Sequence, residues 1–499
     1  MKRNLLLAAC AIWLLTGCKK DDVKDNSPKE DPATFVEIGS LDIGDDGAAE
    51  ISAYDPSTKR LFVVNNSTTN KIDVLDFSNP AAPVLISSIS MAPFGGLVNS
   101  LDVYKGMLAA AIESANKQDP GKVALFNTYD YSVIKTITVG ALPDMITYSP
   151  DGQYILTANE GEPSADYTND PEGTVSIISV KDNFAVTTIG FGAFASQQDA
   201  LVAKGLRIFG PSLSFAKDLE PEYITVSDDS KTAWVTLQEN NAIARINLQT
   251  KTVTNIFPLG FKNYNENGNA IDVSDRDGGI AFNRQQVKGM YQPDAIATYI
   301  TNGIPLLFTA NEGDAREYAA FTEGKRVKDV RLDATAFPDA TLKTDAKLGR
   351  LNITTTLGDL DKDGDFDELY SFGARSFSIW NGNNGTQLFD SGNDLDQRSF
   401  TAGLYDDNRS DDKGAEPEGL TIGMVNKKPI LFVGLERADA VAIYELSNPV
   451  APKFLKLLPT GDAPEGVLFI SAKDSPIKRS LLVVSSEGDG VIKVYSPAQ

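Results

Sequence analysis

From residue 50 onward the chain is written in short apolar runs separated by polar turn residues. Glu50 to Ile89 reads EISAYDPS, RLFVVNN, KIDVLDF, VLISSI, four runs of β-branched and aromatic residues between turn signals. Such runs predict β-strands rather than helices. The same order of four recurs as DMITYSPDG, YILTANE, TVSIISV, VTTIGF, then as EYITVSDD, TAWVTLQ, AIARINL, VTNIFPL, and again as EGLTIGMV, PILFVGLE, AVAIYEL, FLKLLPT. The final unit, EGVLFISA, SLLVVSSE, VIKVYSP, has three runs, and FVEIGSLDIG at Phe35 to Gly44 resembles the missing fourth. Four-stranded repeats whose incomplete last unit is completed from the other terminus predict an all-β fold, a β-propeller closed by pairing the N-terminal strand with the last blade.

Unit starts fall at Glu50, Asn99, Asp144, Glu222, Asp294, Glu418 and Glu465. A further unit in the long gap after Asp294 (LNITTTL, ELYSFGARS, FSIWNG, QLFDSG) makes about eight blades, or seven if Leu351 to Gly392 is an insertion. Residues 35–499 are then one domain.

In a propeller blade the innermost strand starts on the face to which the second strand returns. Strand starts and second-strand ends are therefore neighbours around one mouth. The starts carry the seven residues above. The ends carry Asn66, Glu113, Asn159, Glu160, Gln238, Glu239, Asn311, Glu312, Glu436 and Glu487, and the pentapeptide TANEG occurs at two of them, Thr157 to Gly161 and Thr309 to Gly313. Two rings of carboxylates and amides facing one funnel are expected, with Asn159, Glu160, Glu222, Asp294, Asn311, Glu312, Asp314, Glu418, Glu436 and Glu465 as ligand-binding candidates. Taken singly, each acid is as well suited to accepting backbone N–H groups or marking a turn as to binding a ligand. The long insertions at 190–218, 260–290, 313–345 and 393–415 open on the same face, and propellers elaborate the face they use. They bring Arg276, Arg284, Arg316, Arg409 and Lys413, with Arg437 close by. Arginine pairs bidentately with carboxylate or phosphate, so Arg316, Arg409 and Arg437 are candidates for an anionic ligand, with or without bridging calcium, or for structural salt bridges.

Asp359-Leu-Asp-Lys-Asp-Gly-Asp-Phe-Asp367 alternates Asp359, Asp361, Asp363, Asp365 and Asp367 with glycine at the sixth position. Oxygens at that spacing, with a glycine for the sharp turn, wrap a hard cation such as calcium. Position twelve is Tyr370, which departs from the EF-hand pattern. The loop more closely resembles the calcium loops of integrin-type FG-GAP repeats, which implies that position seven contributes its backbone carbonyl.

At the other end, Lys2 and Arg3 precede an apolar stretch, Leu5 to Leu15, too short to span a bilayer, followed by Leu-Thr-Gly-Cys18. This resembles the bacterial lipobox, which implies a signal peptide at 1–17, lipidation of Cys18, and a polar tether at 18–34. Acids just after the cysteine resemble a surface-export tag, so an outer-membrane lipoprotein, exposed to the outside, is expected. The folded part then holds no cysteine, and the chain has no histidine. Disulfides, thiolate catalysis, a Ser/His/Asp triad and the usual zinc sites are excluded. Net charge is -22 over 499 residues, which argues against nucleic acid and for calcium, a cationic ligand or a calcium-bridged one.

Together the unit order, the two NEG motifs, DRDGG at Asp275 to Gly279 and NRSDDKGAEPEG at Asn408 to Gly419 resemble the choice-of-anchor I family. The resemblance runs from Phe35 to Pro497 and implies a secreted or anchored β-propeller, in a family sometimes found beside phosphatase or nuclease modules. It brings no catalytic residues with it, and the metal-ligating histidines of alkaline phosphatase are absent. Two readings follow: a membrane-anchored surface module that binds a phosphate-containing, glycan or protein ligand in an acidic funnel, and a calcium-dependent phosphoesterase resembling the β-propeller phytases. The second needs Glu160, Asp294, Glu312, Asp314 and Glu418 on calcium and Arg316, Arg409 and Arg437 on phosphate. A quinone-dependent dehydrogenase propeller is disfavoured by the presence of only three tryptophans.

Overall fold

The computed structural model describes residues 29–212 and 214–498. Within them seven four-stranded antiparallel sheets follow one another around a ring. Blade 1 is Ala48–Asp55, Arg60–Asn65, Lys71–Asp76 and Val84–Ser90, and blades 2, 3, 4 and 6 repeat this meander from Val98, Pro143, Pro221 and Pro417. Blade 7 consists of Pro464–Ile470, Leu481–Ser486 and Val491–Pro497, completed by Phe35–Asp42 in antiparallel register, Phe35 opposite Pro497 and Asp42 opposite Val491. The expected closure is therefore present. Phe35 is fully buried and meets Phe432 of blade 6 edge-on at 5.3 Å.

The count is seven, the lower of the two expected. Blade 5 begins with Ile296–Thr301 and Ile304–Asn311 and is finished by Ser376–Asn381 and Gln387–Asp390, from the far side of an insertion. FSIWNG and QLFDSG thus supply the outer half of blade 5. The other two runs of the supposed eighth unit lie elsewhere: Asn352–Thr354 pairs with Gly324–Arg326, and Tyr370–Ser371 runs parallel to Lys288–Met290. Two inner strands left without outer partners would expose unpaired backbone, so the returning chain completes them before any new blade can form.

Second and third strands read as unbroken apolar runs because each is covered on both faces by neighbouring blades. Leu61 to Asn65, Leu108 to Ile112 and Leu481 to Ser486 are buried throughout. The core accordingly lies between the blades. Among the described residues, seven apolar clusters each join two adjacent blades, including the one uniting blade 6, Phe35 and blade 7. An eighth, around Tyr264, Val327, Leu351, Phe366 and Leu369, belongs to a cap formed from residues 261–290 and 312–375 on the top face.

The expected signal peptide at 1–17 and the expected lipidation site Cys18 lie outside the described residues. Of the expected tether, residues 30–34 are docked. Glu30 is buried and accepts from the backbone N and hydroxyl of Ser480 at 2.8 and 2.6 Å, and Pro32–Thr34 forms one 3-10 turn capped by Asp31. Ala498 N donates to Thr34 O at 3.0 Å. These contacts hold residues 30–34 against the last blade beside the closing strand.

Candidate functional site

Six of the seven first strands open with a register shift, at Ala48, Val98, Pro143, Pro221, Pro417 and Pro464. A bulge there turns the acid after the proline toward the ring axis. Leu142, Glu416 and Ala463, each immediately before such a proline, and Gln292 before Pro293 of blade 5, take left-handed backbone at φ 49°, 50°, 51° and 42°. These are costly conformations for residues with side chains, and tertiary packing holds them.

The consequence is a cavity of ≈160 Å³ on the axis, lined by Asn99, Asp144, Glu222, Asp294, Glu312, Glu418 and Glu465. The strand-start expectation is met by acids from blades 3 to 7. In blade 1, Glu50 is held by Asn66 Nδ2 at 2.9 Å. Asp294, Glu312 and Glu418 bring one oxygen each within 4.8 Å of one another. Oε2 of Glu222, Glu418 and Glu465 is buried without a hydrogen-bond partner. Burial, reinforced by mutual repulsion, holds Glu160, Glu222, Asp294, Glu418 and Glu465 well above the ordinary carboxylate range. The same causes push Asp144 up to about 7 and Glu50 up to about 8.

Above the axis lies a wider cleft of ≈410 Å³ between the cap and the propeller, lined among others by Glu162, Glu239, Asp314, Arg409, Asp412 and Lys413. Its cations are engaged by carboxylates. Arg409 pairs with Glu416 at 2.6 Å and with Asp412 at 3.5 Å. Lys413 pairs with Glu312, and with Glu416 at 3.3 Å. Arg437 lies outside this cleft, in a separate pocket with Glu436 and Asp439, and reaches Glu436 at 2.8 Å and Glu416 at 3.6 Å. Arg316, 3% exposed, sends Nη1 to Asp218 Oδ1 at 2.7 Å and Nη2 to Glu220 Oε1 at 3.0 Å and to Asp218 O at 2.8 Å. Of the two expected roles for the arginines, the structural salt bridge describes Arg316, and Arg409 and Arg437 are also committed to acids. Arg276 and Arg284 reach Asp345 and Asn267 instead. Burial and the charges of Glu416 and Glu312 push Glu436 up to about 7.

Glu416 is the residue of this charge cluster that strand-start reasoning passed over. It is fully buried, its left-handed backbone precedes Pro417, and it joins Arg409, Lys413 and Arg437. The available signal was a charged residue inside KGAEPEG, two positions before an axial acid.

Asn159 and Asn311 leave the funnel. Each is fully buried, accepts from the threonine two residues earlier at 2.8 Å, and donates across to the third strand: Asn159 to Ser176 at 3.0 Å, Asn311 to Ser378 at 2.8 Å. Residues two apart share a face of a strand, so Thr and Asn of TAN form a cross-strand tie, while the Glu that follows turns to the mouth. The glycines are fixed by space. Gly161 and Gly313 have φ of 72° and 90°, and a Cβ on Gly313 would lie 2.0 Å from Gly373 N. We expect Asn159→Ala and Asn311→Ala each to cost about 1–3 kcal/mol in urea denaturation, because buried partners are left unpaired, with metal binding unchanged. Altered metal binding at unchanged stability would return these asparagines to the mouth.

In the cap, Asp359, Asp361 and Asp367 converge, with one oxygen each within 4.8 Å of the others. Asp359 Oδ1 is buried without a partner, while its Oδ2 accepts from Gly364 N at 3.1 Å. Asp365 pairs its carboxylate with Arg331 at 3.0 Å and stands outside the convergent trio. Asp363 accepts from Asp365 N at 3.1 Å and stands outside the convergent trio. Its charge raises the carboxyl of Asp361 above the ordinary range. An orphaned oxygen, a convergent trio and a left-handed glycine at φ 91° fit a hard cation.

Residues 50–449 match the family model of the choice-of-anchor I domain. The chain is 28% identical over 188 residues to gigasin-3a of Magallana gigas, covering 31% of this chain and 66% of that protein. It is 26% identical over 342 residues to the mesenchyme-specific cell surface glycoprotein of Strongylocentrotus purpuratus, covering 57% of this chain and 44% of that one. The matches thus span less than two thirds of either relative. Among solved structures it is similar to hydrazine synthase of Kuenenia stuttgartiensis, with a TM-score of 0.50 at 12% identity over 92% of this chain and 97% of that one. At that identity the likeness is one of fold.

Proposed function

Because this chain belongs to the choice-of-anchor I family, we propose that it is a β-propeller displayed on the cell surface, held by lipid on Cys18 in the outer membrane, which binds a ligand on its acidic top face and calcium in the loop of its cap. The observation that carries this reading is the convergence of acids from five blades on one cavity beneath a cap. The cell-surface relative supports the location.

Calcium at Asp359, Asp361 and Asp367, with the carbonyl of Asp365, would neutralise the loop and brace the cap against Phe366 and Leu369. No reacting group is implied. A phosphoesterase would need free cations at the mouth, and Arg316, Arg409, Arg437 and Lys413 are each paired with carboxylates. A mouth of this charge accepts a cationic ligand directly and an anionic one only through bridging calcium.

Two polymers test the ligand. In gels of the detergent-solubilised full chain, polylysine is expected to retard it without calcium, or polygalacturonate only with calcium. Retardation by neither sinks the binding reading. For the loop, Asp361→Asn/Asp367→Asn should lose one calcium equivalent by titration and render residues 312–375 protease-sensitive, whereas a titration identical to wild type removes the loop site. Cys18→Ala should shift the chain from membrane to soluble fraction.

A further inference from the structure

The axial cavity poses a charge problem. Asp144, Glu222, Asp294, Glu312, Glu418 and Glu465 line it, and among the described residues no lysine or arginine does. Lys413 reaches its rim, where it is shared between Glu312 and Glu416. Gln238 Nε2 satisfies the other oxygen of Glu312 at 3.1 Å. By contrast Oε2 of Glu222, Glu418 and Glu465, contributed by three different blades, is wholly buried and meets no donor. A buried carboxylate oxygen without a partner is costly, and three on residues that line one cavity are costlier still. Such a site is relieved by protons or by a cation placed between the oxygens.

We propose that the axial cavity is a second divalent-cation site, with Asp294, Glu312 and Glu418 as its protein ligands and Glu222 and Glu465 completing its shell through water or direct contact. The oxygens of the first three already lie within 4.8 Å of one another, the spacing of atoms around one ion. They come from the start of blade 5, the end of its second strand and the start of blade 6, so the site exists only where these two blades pack together. A volume of ≈160 Å³ accommodates an ion with a few waters, each water occupying about 30 Å³. All-oxygen ligation selects a hard cation, and the number of carboxylates favours calcium over magnesium, which keeps most of its own water. This site rests on the reading of the top face as a binding face and gives it a resident charge: the ion, rather than the paired arginines, would meet an anionic group descending from the cleft.

The test uses the full chain in detergent, stripped with chelator and titrated with calcium and with terbium. Wild type should bind two ions. Asp294→Asn/Glu418→Gln should lose one of them and keep the loop ion, and Asp361→Asn/Asp367→Asn should do the reverse. Tyr223 lines the cavity, so terbium on the axis should show tyrosine-sensitised emission that Tyr223→Phe reduces severalfold without changing the number of ions bound. This readout does not depend on the charge-removing variants folding. The proposal is overturned if Asp294→Asn/Glu418→Gln binds as many ions as wild type, if Asp361→Asn/Asp367→Asn binds none, or if Tyr223→Phe leaves the emission unchanged. Failure of both polymers to bind a chain that holds two ions would remove the ligand reading and leave the axial ion intact.

Discussion

Arg316→Met should unfold at a urea midpoint corresponding to a loss of about 3–5 kcal/mol. Arg316 sits in TANEGDAREY, just beyond the second blade-5 strand, and the structure buries it between Asp218 and Glu220 from the insertion that precedes blade 4. Its backbone N donates to Glu323, which in turn pairs with Arg207. Phe209 lies between the two guanidinium groups, 3.9 Å from that of Arg207 and 4.4 Å from that of Arg316. Removing the arginine strands two buried carboxylates, and the penalty is theirs rather than the lost attraction. Arg316→Lys should recover little, because one ammonium cannot serve Asp218 and Glu220 in a planar fork. Protease cutting near residues 207–218 should rise in parallel. A loss below about 1 kcal/mol would mean that the pair is solvated and that Arg316 is free for a ligand after all.

In chelator, stability should fall as pH rises from about 5 to 8. Glu50, Asp144 and Glu436 are raised by burial and like charge, from 4.5, 3.8 and 4.5 to about 8, 7 and 7. Groups raised in the folded state hold protons there that the unfolded chain has released. Their contribution is complete below the unfolded values near 4 and is lost as pH climbs through 7 to 8. Each proton so retained makes the slope steeper by about 1.4 kcal/mol per pH unit. Asp55, whose carboxylate accepts from Ser57, Thr58 and Thr128, and Asp275, paired with Arg350, are lowered and act in the opposite sense, supporting the fold above about 4 and failing in acid. Maximum stability of the stripped chain therefore lies at mildly acidic pH. Thermal melts across that range check it. With the proposed axial ion bound, Asp144, which lines the same cavity, stays ionised and its part of the slope is lost; a metal-free chain whose stability rises toward pH 8 contradicts the buried ring.

Much of this molecule is legible in its sequence because the information is local. Runs such as RLFVVNN and SLLVVSSE alternate or saturate in apolar residues over a few positions, enough to fix strand, order and the closure by Phe35–Asp42. The Pro-acid pairs at 143, 221, 293, 417 and 464 mark strand starts, and starts converge on the axis in any closed ring, so Glu222, Asp294, Glu418 and Glu465 were placed by topology alone. The alternating aspartates after Asp359 likewise carry their geometry within nine positions. What tertiary structure decided was pairing at a distance. Whether Ser376–Asn381 began a blade or completed one depended on two buried strands left waiting across an insertion. The asparagines of TANEG tie strands rather than face the mouth, because the side of the strand their side chains occupy is set by neighbours on a third strand. Arg316, Arg409 and Glu416 look alike in sequence as charges near a mouth, yet one is sealed, one partly exposed and one central. Burial and partner choice depend on the whole ring, since the energy of a charge is set by what surrounds it and not by its place in the chain.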